Sequence, residues 1–167
     1  INILITGCAG FIGFHTALRF VKMKNINVIG IDNLNTYYDI NLKKDRLKIL
    51  RKDKSFNFKR VDICNKEIIN KLFSKYKFKK VLHFAAQAGV RFSIKYPDVH
   101  IKSNIIGYGN LLEASKNYKV KHFIFASSSS VYGSSNPCPY SEKMDSNKTE
   151  SIYAATKKAG EVMSYSY

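Results

Sequence analysis

Tyr153 and Lys157 stand four residues apart in Tyr153-Ala154-Ala155-Thr156-Lys157, and a serine run, Ala126-Ser127-Ser128-Ser129-Ser130-Val131-Tyr132-Gly133, lies some twenty-five residues earlier. On a helix, a four-residue spacing puts both side chains on one face, where an ammonium beside a phenol favours the phenolate. That is a base usable near neutral pH. A serine brought up from a neighbouring strand end can hydrogen-bond the same oxygen, and the set can then move a proton off a sugar or alcohol hydroxyl. The Tyr/Lys spacing alone is unspecific in a chain with 11 Tyr. It reads as an exposed helical pair unless other motifs position it.

Those motifs begin at the N-terminus. Asn2 to Thr6 is nearly all apolar, as a parallel strand buried on both faces should be. Gly7-Cys8-Ala9-Gly10-Phe11-Ile12-Gly13 follows, with G-x-x-G-x-x-G spacing, and opens a helix from Phe11 to about Met23 whose apolar positions are Ile12, Ala17, Leu18 and Val21. Glycines at these points allow a tight turn, approach of a pyrophosphate to the amides and close packing of helix on strand. The second strand, Asn27 to Asp32, ends in a carboxylate nineteen positions past Gly13. A carboxylate there accepts from an adenosine 2′-hydroxyl and repels a 2′-phosphate, which favours NAD over NADP. Asp32 as a helix cap is the alternative, a role Asn33 can also fill.

The remaining elements must deliver the serine and the Tyr/Lys pair to that cofactor. The sequence predicts a loop over Asn33–Tyr38, a helix over Ile40–Arg51 and a third strand over Phe56–Ile63 carrying Asp62 near its end. A helix with Ile68, Ile69, Leu72, Phe73 and Tyr76 on one face comes next, then a strand over Lys80–Ala86 in which His83 reads as a core histidine. Ala85, Ala86 and Ala88 are small enough to let a cofactor lie across the strand ends. Gln87–Ser93 is expected as a loop at the carboxyl end of that strand, where Arg91 can hold a phosphate or carboxylate bidentately or serve only as a surface arginine. A long helix from Asp98 to Asn117, a fifth strand over Lys121–Ser127, a loop over Tyr132–Asn147 and a helix from about Ser151 complete the chain. Strands alternating with helices imply an α/β fold built on a doubly wound parallel sheet.

Composition narrows the class. With 167 residues and 45% hydrophobic content, the chain can bury one core, and residues 1–167 are expected to form a single domain. There is no apolar run of 18 residues and no basic lead to a signal peptide, so a cytoplasmic protein without membrane association is expected. Cys8, Cys64 and Cys138 are widely spaced and predict reduced thiols, with neither a disulfide framework nor a metal site. The net charge of +16 comes from scattered lysines that read as solvated helix faces, with no nucleic-acid partner; the positive field would help draw in a doubly charged nucleotide. The chain lacks an initiator Met and stops within a helical pattern, as a fragment would.

Together, the glycine turn, Asp32, Asp62, His83-Phe84-Ala85-Ala86, Ser103-Asn104 with Gly107, the serine run before Val131-Tyr132-Gly133, and Tyr153 with Lys157 resemble the extended short-chain dehydrogenase/reductases, the NAD-dependent nucleotide-sugar epimerases and dehydratases. Ala86-Gln87-Ala88-Gly89-Val90-Arg91 and Asp32-Asn33-Leu34-Asn35 with Tyr37-Tyr38-Asp39 look most like the UDP-glucuronate 4-epimerases among them. The resemblance implies a Rossmann fold with NAD held by Gly7, Gly10, Phe11, Ile12 and Gly13 at the pyrophosphate. Asp32 and Asn33 would then sit at the adenosine ribose, Asp62 and Ile63 at the adenine, and Ala85, Ala86 and Asn104 alongside. It makes Tyr153 the base, Lys157 the partner of the nicotinamide ribose and Ser128 the hydrogen-bond donor to the reacting hydroxyl.

Dehydratases of the family carry Asp-Glu after that serine, whereas this chain has Ser129-Ser130. This implies that hydride returns to a 4-keto sugar and water is not eliminated. Ser129, Ser130 and Arg91 are then the expected holders of a sugar carboxylate. The resemblance further implies a UDP-sugar substrate, a role in surface polysaccharide precursor synthesis, a substrate-binding C-terminal portion beyond this chain, and a homodimer formed through the helices at Asp98–Asn117 and Ser151–Tyr167. Three alternatives stay open: an epimerase of neutral UDP-sugars, another dehydratase or reductase of the fold, and a non-catalytic NAD-binding module.

Overall fold

The computed structural model describes residues 1–167. Five strands, β1 (Asn2–Thr6), β2 (Asn27–Asp32), β3 (Phe56–Arg60), β4 (Lys80–His83) and β5 (His122–Phe125), form one parallel sheet in the order β3-β2-β1-β4-β5. The chain leaves β1 towards β2 and β3 and returns to the other side of β1 for β4 and β5. The switch point therefore lies between β1 and β4, where Thr6 pairs with His83, and doubly wound sheets bind ligands at the carboxyl ends beside such a point.

β1 has side chains on both faces because both are covered. Ile3 and Ile5 pack with Phe14 and Ala17 of α1 (Phe11–Phe20) and Leu47 and Leu50 of α2 (Ile40–Leu50). Leu4 points the other way, among Ile69, Leu72 and Phe73 of α3 (Lys66–Tyr76) and Leu111 and Ala114 of α6 (Tyr108–Asn117). Two short helices, α4 (Val90–Lys95) and α5 (Pro97–Ile101), precede α6, and α7 (Ile152–Ser166) packs along this helical layer. Ser151 caps α7, its hydroxyl accepting from the Ala154 N–H at 3.1 Å.

Several expectations need correction. Ile12 and Ile68 are exposed, because the buried stripes of their helices run through Gly13, Phe14 and Ala17 and through Ile69, Leu72 and Phe73. The first helix ends at Phe20 rather than Met23, and the third, fourth and fifth strands stop at Arg60, His83 and Phe125. At β4 the cause is visible: the Phe84 N–H is shared between the Thr6 carbonyl at 3.3 Å and the Thr6 hydroxyl at 3.2 Å, and the Ala85 N–H turns to that hydroxyl at 3.0 Å, so the backbone leaves the ladder with its donors satisfied. Gln87–Ser93 is a loop only as far as Gly89, with α4 starting at Val90. The long helix expected over Asp98–Asn117 begins at Pro97 and passes through a π-helical turn, Lys102–Gly107.

That turn matters because it carries Asn104, which is buried. The Asn104 amide accepts from the Gln87 N–H at 2.8 Å and donates to the Gln87 carbonyl and the Thr156 hydroxyl, each at 3.0 Å. One side chain thus ties the segment after β4 to α7.

His83 is a core histidine, as its apolar surroundings in the sequence suggest. The Thr6 hydroxyl, already accepting from two N–H groups, has its proton to give to His83 Nδ1 at 2.7 Å. Burial first, and then the Lys157 ammonium, push the His83 pKa down to about 3. No helix is long and apolar enough to cross a membrane.

Asn104→Ala should lower stability by about 2–3 kcal/mol, since it leaves buried partners of the amide unpaired. A shift in urea midpoint at constant m value measures this, and a change below about 0.5 kcal/mol would refute the bracing role. His83 binds its proton more weakly folded than unfolded, so it adds stability that is fully present above about pH 6.5 and is lost as pH falls towards 3. Unfolding free energy measured between pH 6.5 and 4 should fall less steeply in His83→Gln than in the parent, and equal slopes would overturn this.

Candidate active site

The turn between β1 and α1 leaves no room for side chains. Gly7 has φ +67°, and a Cβ on it would sit 2.7 Å from the Ala85 nitrogen; a Cβ on Gly13 would sit 2.2 Å from the Gly7 carbonyl oxygen. Gly10 begins α1 without a side-chain cap, so the first amides of the helix, on Phe11, Ile12 and Gly13, are open to an anion. Phe11 and Ile12 themselves point outward, 67% and 58% exposed, and can contribute backbone only.

Gly7, Gly10, Asp32, Asn33, Ile63, Ala85 and Ala86 meet in one cavity of about 150 Å³. Asp32 is buried, accepting from Leu34 N–H at 2.8 Å and Ala9 N–H at 3.3 Å. Asp62 lies next door, in the wall of a larger cavity of about 630 Å³ that shares Asn33 and Gln87 with the first. Partial burial pushes the Asp62 pKa up, but the Cys64 N–H at 2.9 Å and further hydrogen bonds outweigh it and hold the carboxyl below its usual range. Asn104 does not face the cavity. It positions Gln87, which does.

Two residues of this region were missed in the sequence. Lys43 is buried, 3.6 Å from Asp32 Oδ1, donating to Asn35 Oδ1 at 2.9 Å and lying 5.0 Å from the centre of the Tyr38 ring. Its spacing to Leu47 and Leu50 puts it on the inward stripe of α2, a signal that was available. Arg46 donates to the Ala9 carbonyl at 3.1 Å and to the Tyr38 hydroxyl at 3.3 Å, above the glycine turn.

At the other end, Tyr153 is half-buried in the first turn of α7, its ring centre 6.2 Å from that of His100. Lys157 is buried and donates to the Ala126 carbonyl at 2.8 Å, its ammonium 5.0 Å from the Phe125 ring centre. Burial pushes its pKa down to about 8. Ser128 caps a 3-10 turn, Ser129–Tyr132, against which α7 packs; its hydroxyl accepts from the Ser130 N–H at 3.2 Å and donates to the Ser130 hydroxyl at 3.1 Å. The sheet thus delivers the serine run and α7 delivers Tyr153 and Lys157 to the same side, beyond β5. Ser129 and Ser130 line a further cavity of about 280 Å³, whereas Arg91 is exposed and is not part of its wall.

The family model for GDP-mannose 4,6 dehydratase matches residues 4–167. The chain is 45% identical to Protein CapI of Staphylococcus aureus, over 99% of this chain and 49% of that protein. It is 43% identical to a UDP-glucuronate 4-epimerase of Thermodesulfobacterium geofontis, over 98% of this chain and 50% of that protein. Among solved structures, the UDP-glucuronic acid 4-epimerase of Bacillus cereus in complex with UDP-glucuronic acid and NAD superposes with a TM-score of 0.92 at 36% identity, over 100% of this chain and 52% of that one. A UDP-glucose 4-epimerase of Thermus thermophilus complexed with NAD does so with a TM-score of 0.85 at 32% identity, over 100% and 50%. The chain spans about half the length of the relatives it matches. With the match running through the glycine turn, the serine run and the Tyr/Lys helix alike, the chain belongs to the extended short-chain dehydrogenase/reductase family of nucleotide-sugar epimerases and dehydratases, and within it is most like the UDP-glucuronate 4-epimerases.

Proposed function

We propose that the protein to which this chain belongs is an NAD-dependent nucleotide-sugar 4-epimerase, and that residues 1–167 are its cofactor domain. The observation that carries the reading is the joint placement, at the carboxyl end of one parallel sheet, of an open helix N-terminus with its glycine turn and of a helix bearing Tyr153 and Lys157.

NAD fits the residues present. The Gly7 and Gly13 contacts pack the turn against the Ala85 backbone and on itself, and Gly10 leaves the first amides of α1 uncapped for a pyrophosphate. The Asp32 carboxylate has a ribose hydroxyl's complement, and the Lys43 ammonium 3.6 Å away helps to orient it. When bound, NAD⁺ accepts a hydride from carbon 4 of the sugar and NADH returns it. Tyr153 takes the proton from the 4-hydroxyl and later gives it back, Ser128 donates to the same oxygen, and Lys157 sits behind them as the cation. Proximity supplies much of the rate in such a step.

UDP-glucuronate is the substrate we favour, with UDP-galacturonate as product for surface polysaccharide precursors. Support comes from the relatives' names and from Ser129-Ser130, hydroxyls that stand where dehydratases of the family carry acids. The assignment of Arg91 to the sugar carboxylate is weakened by its exposed position outside the serine-lined cavity. A homodimer is supported by apolar side chains left open on α5, the π-helical turn and α7: Val99, Ile101, Ile106 and Val162.

In full-length protein given UDP-glucuronate and catalytic NAD⁺, UDP-galacturonate should accumulate to equilibrium without net NADH, and Tyr153→Phe should lower kcat by about 10³-fold or more. Conversion of UDP-glucose but not UDP-glucuronate would overturn the substrate and keep the reaction. Because the Lys157 pKa is lowered to about 8, the needed ammonium is lost as pH rises through that value. The kcat/KM profile should therefore fall on an alkaline limb near pH 8, and Lys157→Arg should move that limb upward; a limb unmoved by the substitution would assign it to another group.

A further inference from the structure

We propose that Glu150 is a specificity-determining residue whose charge tempers, without reversing, the preference of the sugar site for a uronate over a neutral sugar. This deepens the epimerase reading above, on which the identity of the ligand rests. The cavity of about 280 Å³ that Ser129 and Ser130 line is closed on its far side by Ser134, Tyr140 and Glu150, with Val90 of α4 and the start of α7 completing it. No basic side chain lines it.

The segment from Gly133 to Glu150 is folded back to build that wall. Tyr140 donates its hydroxyl proton to the Gly133 carbonyl at 2.9 Å and stacks on Tyr132 at 5.2 Å. Asn136 donates to the carbonyls of Tyr132 and Asp145 at 2.6 and 2.7 Å, holding the two limbs of the segment together. Glu150 Oε1 accepts from the Ser134 hydroxyl and, at 3.0 Å, from the Ser134 N–H. These bonds, the hydroxyl's first, hold the carboxyl below its usual range, so Glu150 is an anion at neutral pH. Its second oxygen is not used by Ser134.

A sugar entering beside Ser129 and Ser130 meets hydroxyl groups and one fixed carboxylate. A hydroxymethyl group can donate to that carboxylate in a charge-assisted hydrogen bond. A uronate's carboxylate is repelled by it, and discrimination built from repulsion works as well as discrimination built from attraction. The neighbouring N-terminus of α7 offsets part of this repulsion, but Ser151 already caps it. The charge of Glu150 is not required for the loop, since a glutamine oxygen would accept the same two bonds from Ser134.

The test compares wild type, Glu150→Gln and a control, Glu142→Gln, an exposed acid of the same segment outside the cavity wall. In full-length protein loaded with NAD⁺, both the dissociation constants and kcat/KM are measured for UDP-glucuronate and UDP-glucose. Removing the charge should raise the preference for uronate over neutral sugar by roughly threefold to fivefold, the size that one like charge several ångströms away gives in water-like surroundings, since Glu150 is exposed. The wild-type preference should move in the same direction as salt is raised. The control should leave it within twofold. A ratio unchanged in Glu150→Gln, or shifted equally in the control, overturns the proposal. Binding without turnover of either sugar would sink the epimerase reading while the binding ratio still decides Glu150, and failure of both sugars to bind would overturn both.

Discussion

A single buried hydroxyl decides where this sheet opens. Parallel strands continue only while each N–H finds a carbonyl on its neighbour, and β4 leaves β1 once the Phe84 N–H has reached the Thr6 carbonyl at 3.3 Å. Thr6 makes the departure affordable: its oxygen accepts from Phe84 and Ala85, and its proton goes to His83 Nδ1. Those three bonds fix the histidine as a neutral acceptor, stop the ladder and aim Ala85 and Ala86 into the cavity under the glycine turn. Replacing Thr6 by valine would keep the shape and lose every one of these bonds. The crevice at the switch point is thus a consequence of hydrogen-bond satisfaction as much as of strand order.

Charge is handled by a division between surface and interior. Most of the basic residues behind the net charge of +16 are exposed, spread over helices, turns and loops, and make few bonds. Lys43 and Lys157 are the two buried lysines, at opposite ends of the crevice, each held by oxygen partners within the protein. Lys43 has the Asp32 carboxylate beside it, whereas Lys157 has only a carbonyl and an aromatic face. For Lys157 burial wins, and its lowered pKa follows. A cation that is desolvated and unpaired is one whose charge can act on whatever binds next to it.

How legible this was in the sequence depended on whether a residue's role is local. The glycine turn, the acid ending β2, the serine run and the Tyr/Lys helix are each fixed by local spacing: β1, β2 and the start of α7 lie where expected, while α1 ends three residues early and β5 is shorter at both ends. His83 could be read as core because its neighbours in the chain are also its neighbours in the strand. Lys43 carried a local signal in its spacing to Leu47 and Leu50, whereas Arg46 could not be separated from other helix arginines, because what distinguishes it is the Ala9 carbonyl of a turn 37 residues earlier. Asn104 was singled out by resemblance, yet its task here is bracing, visible only once the π-helical turn directs its amide at Gln87 and Thr156. Strand ends were overestimated for a related reason: apolar composition continues past His83, but a hydroxyl from another strand shares the Phe84 donor and takes that of Ala85.

The two ends of the crevice are therefore built on different terms. At the cofactor end, backbone and glycine contacts of 2.2–2.7 Å to a would-be Cβ leave no latitude for substitution. Towards the sugar, the wall from Gly133 to Glu150 is held by side-chain bonds, Tyr140 and Asn136 to carbonyls and Ser134 to Glu150, on a segment without helix or strand. Such a wall can exchange one side chain for another without disturbing the sheet. Under the proposed reaction, a rigid frame for the hydride and proton steps, joined to a loop whose residues can be changed one at a time, would let substrate preference vary while the chemistry stays fixed. Glu150 sits on the variable side of that boundary, within reach of the serines that stand on the fixed one.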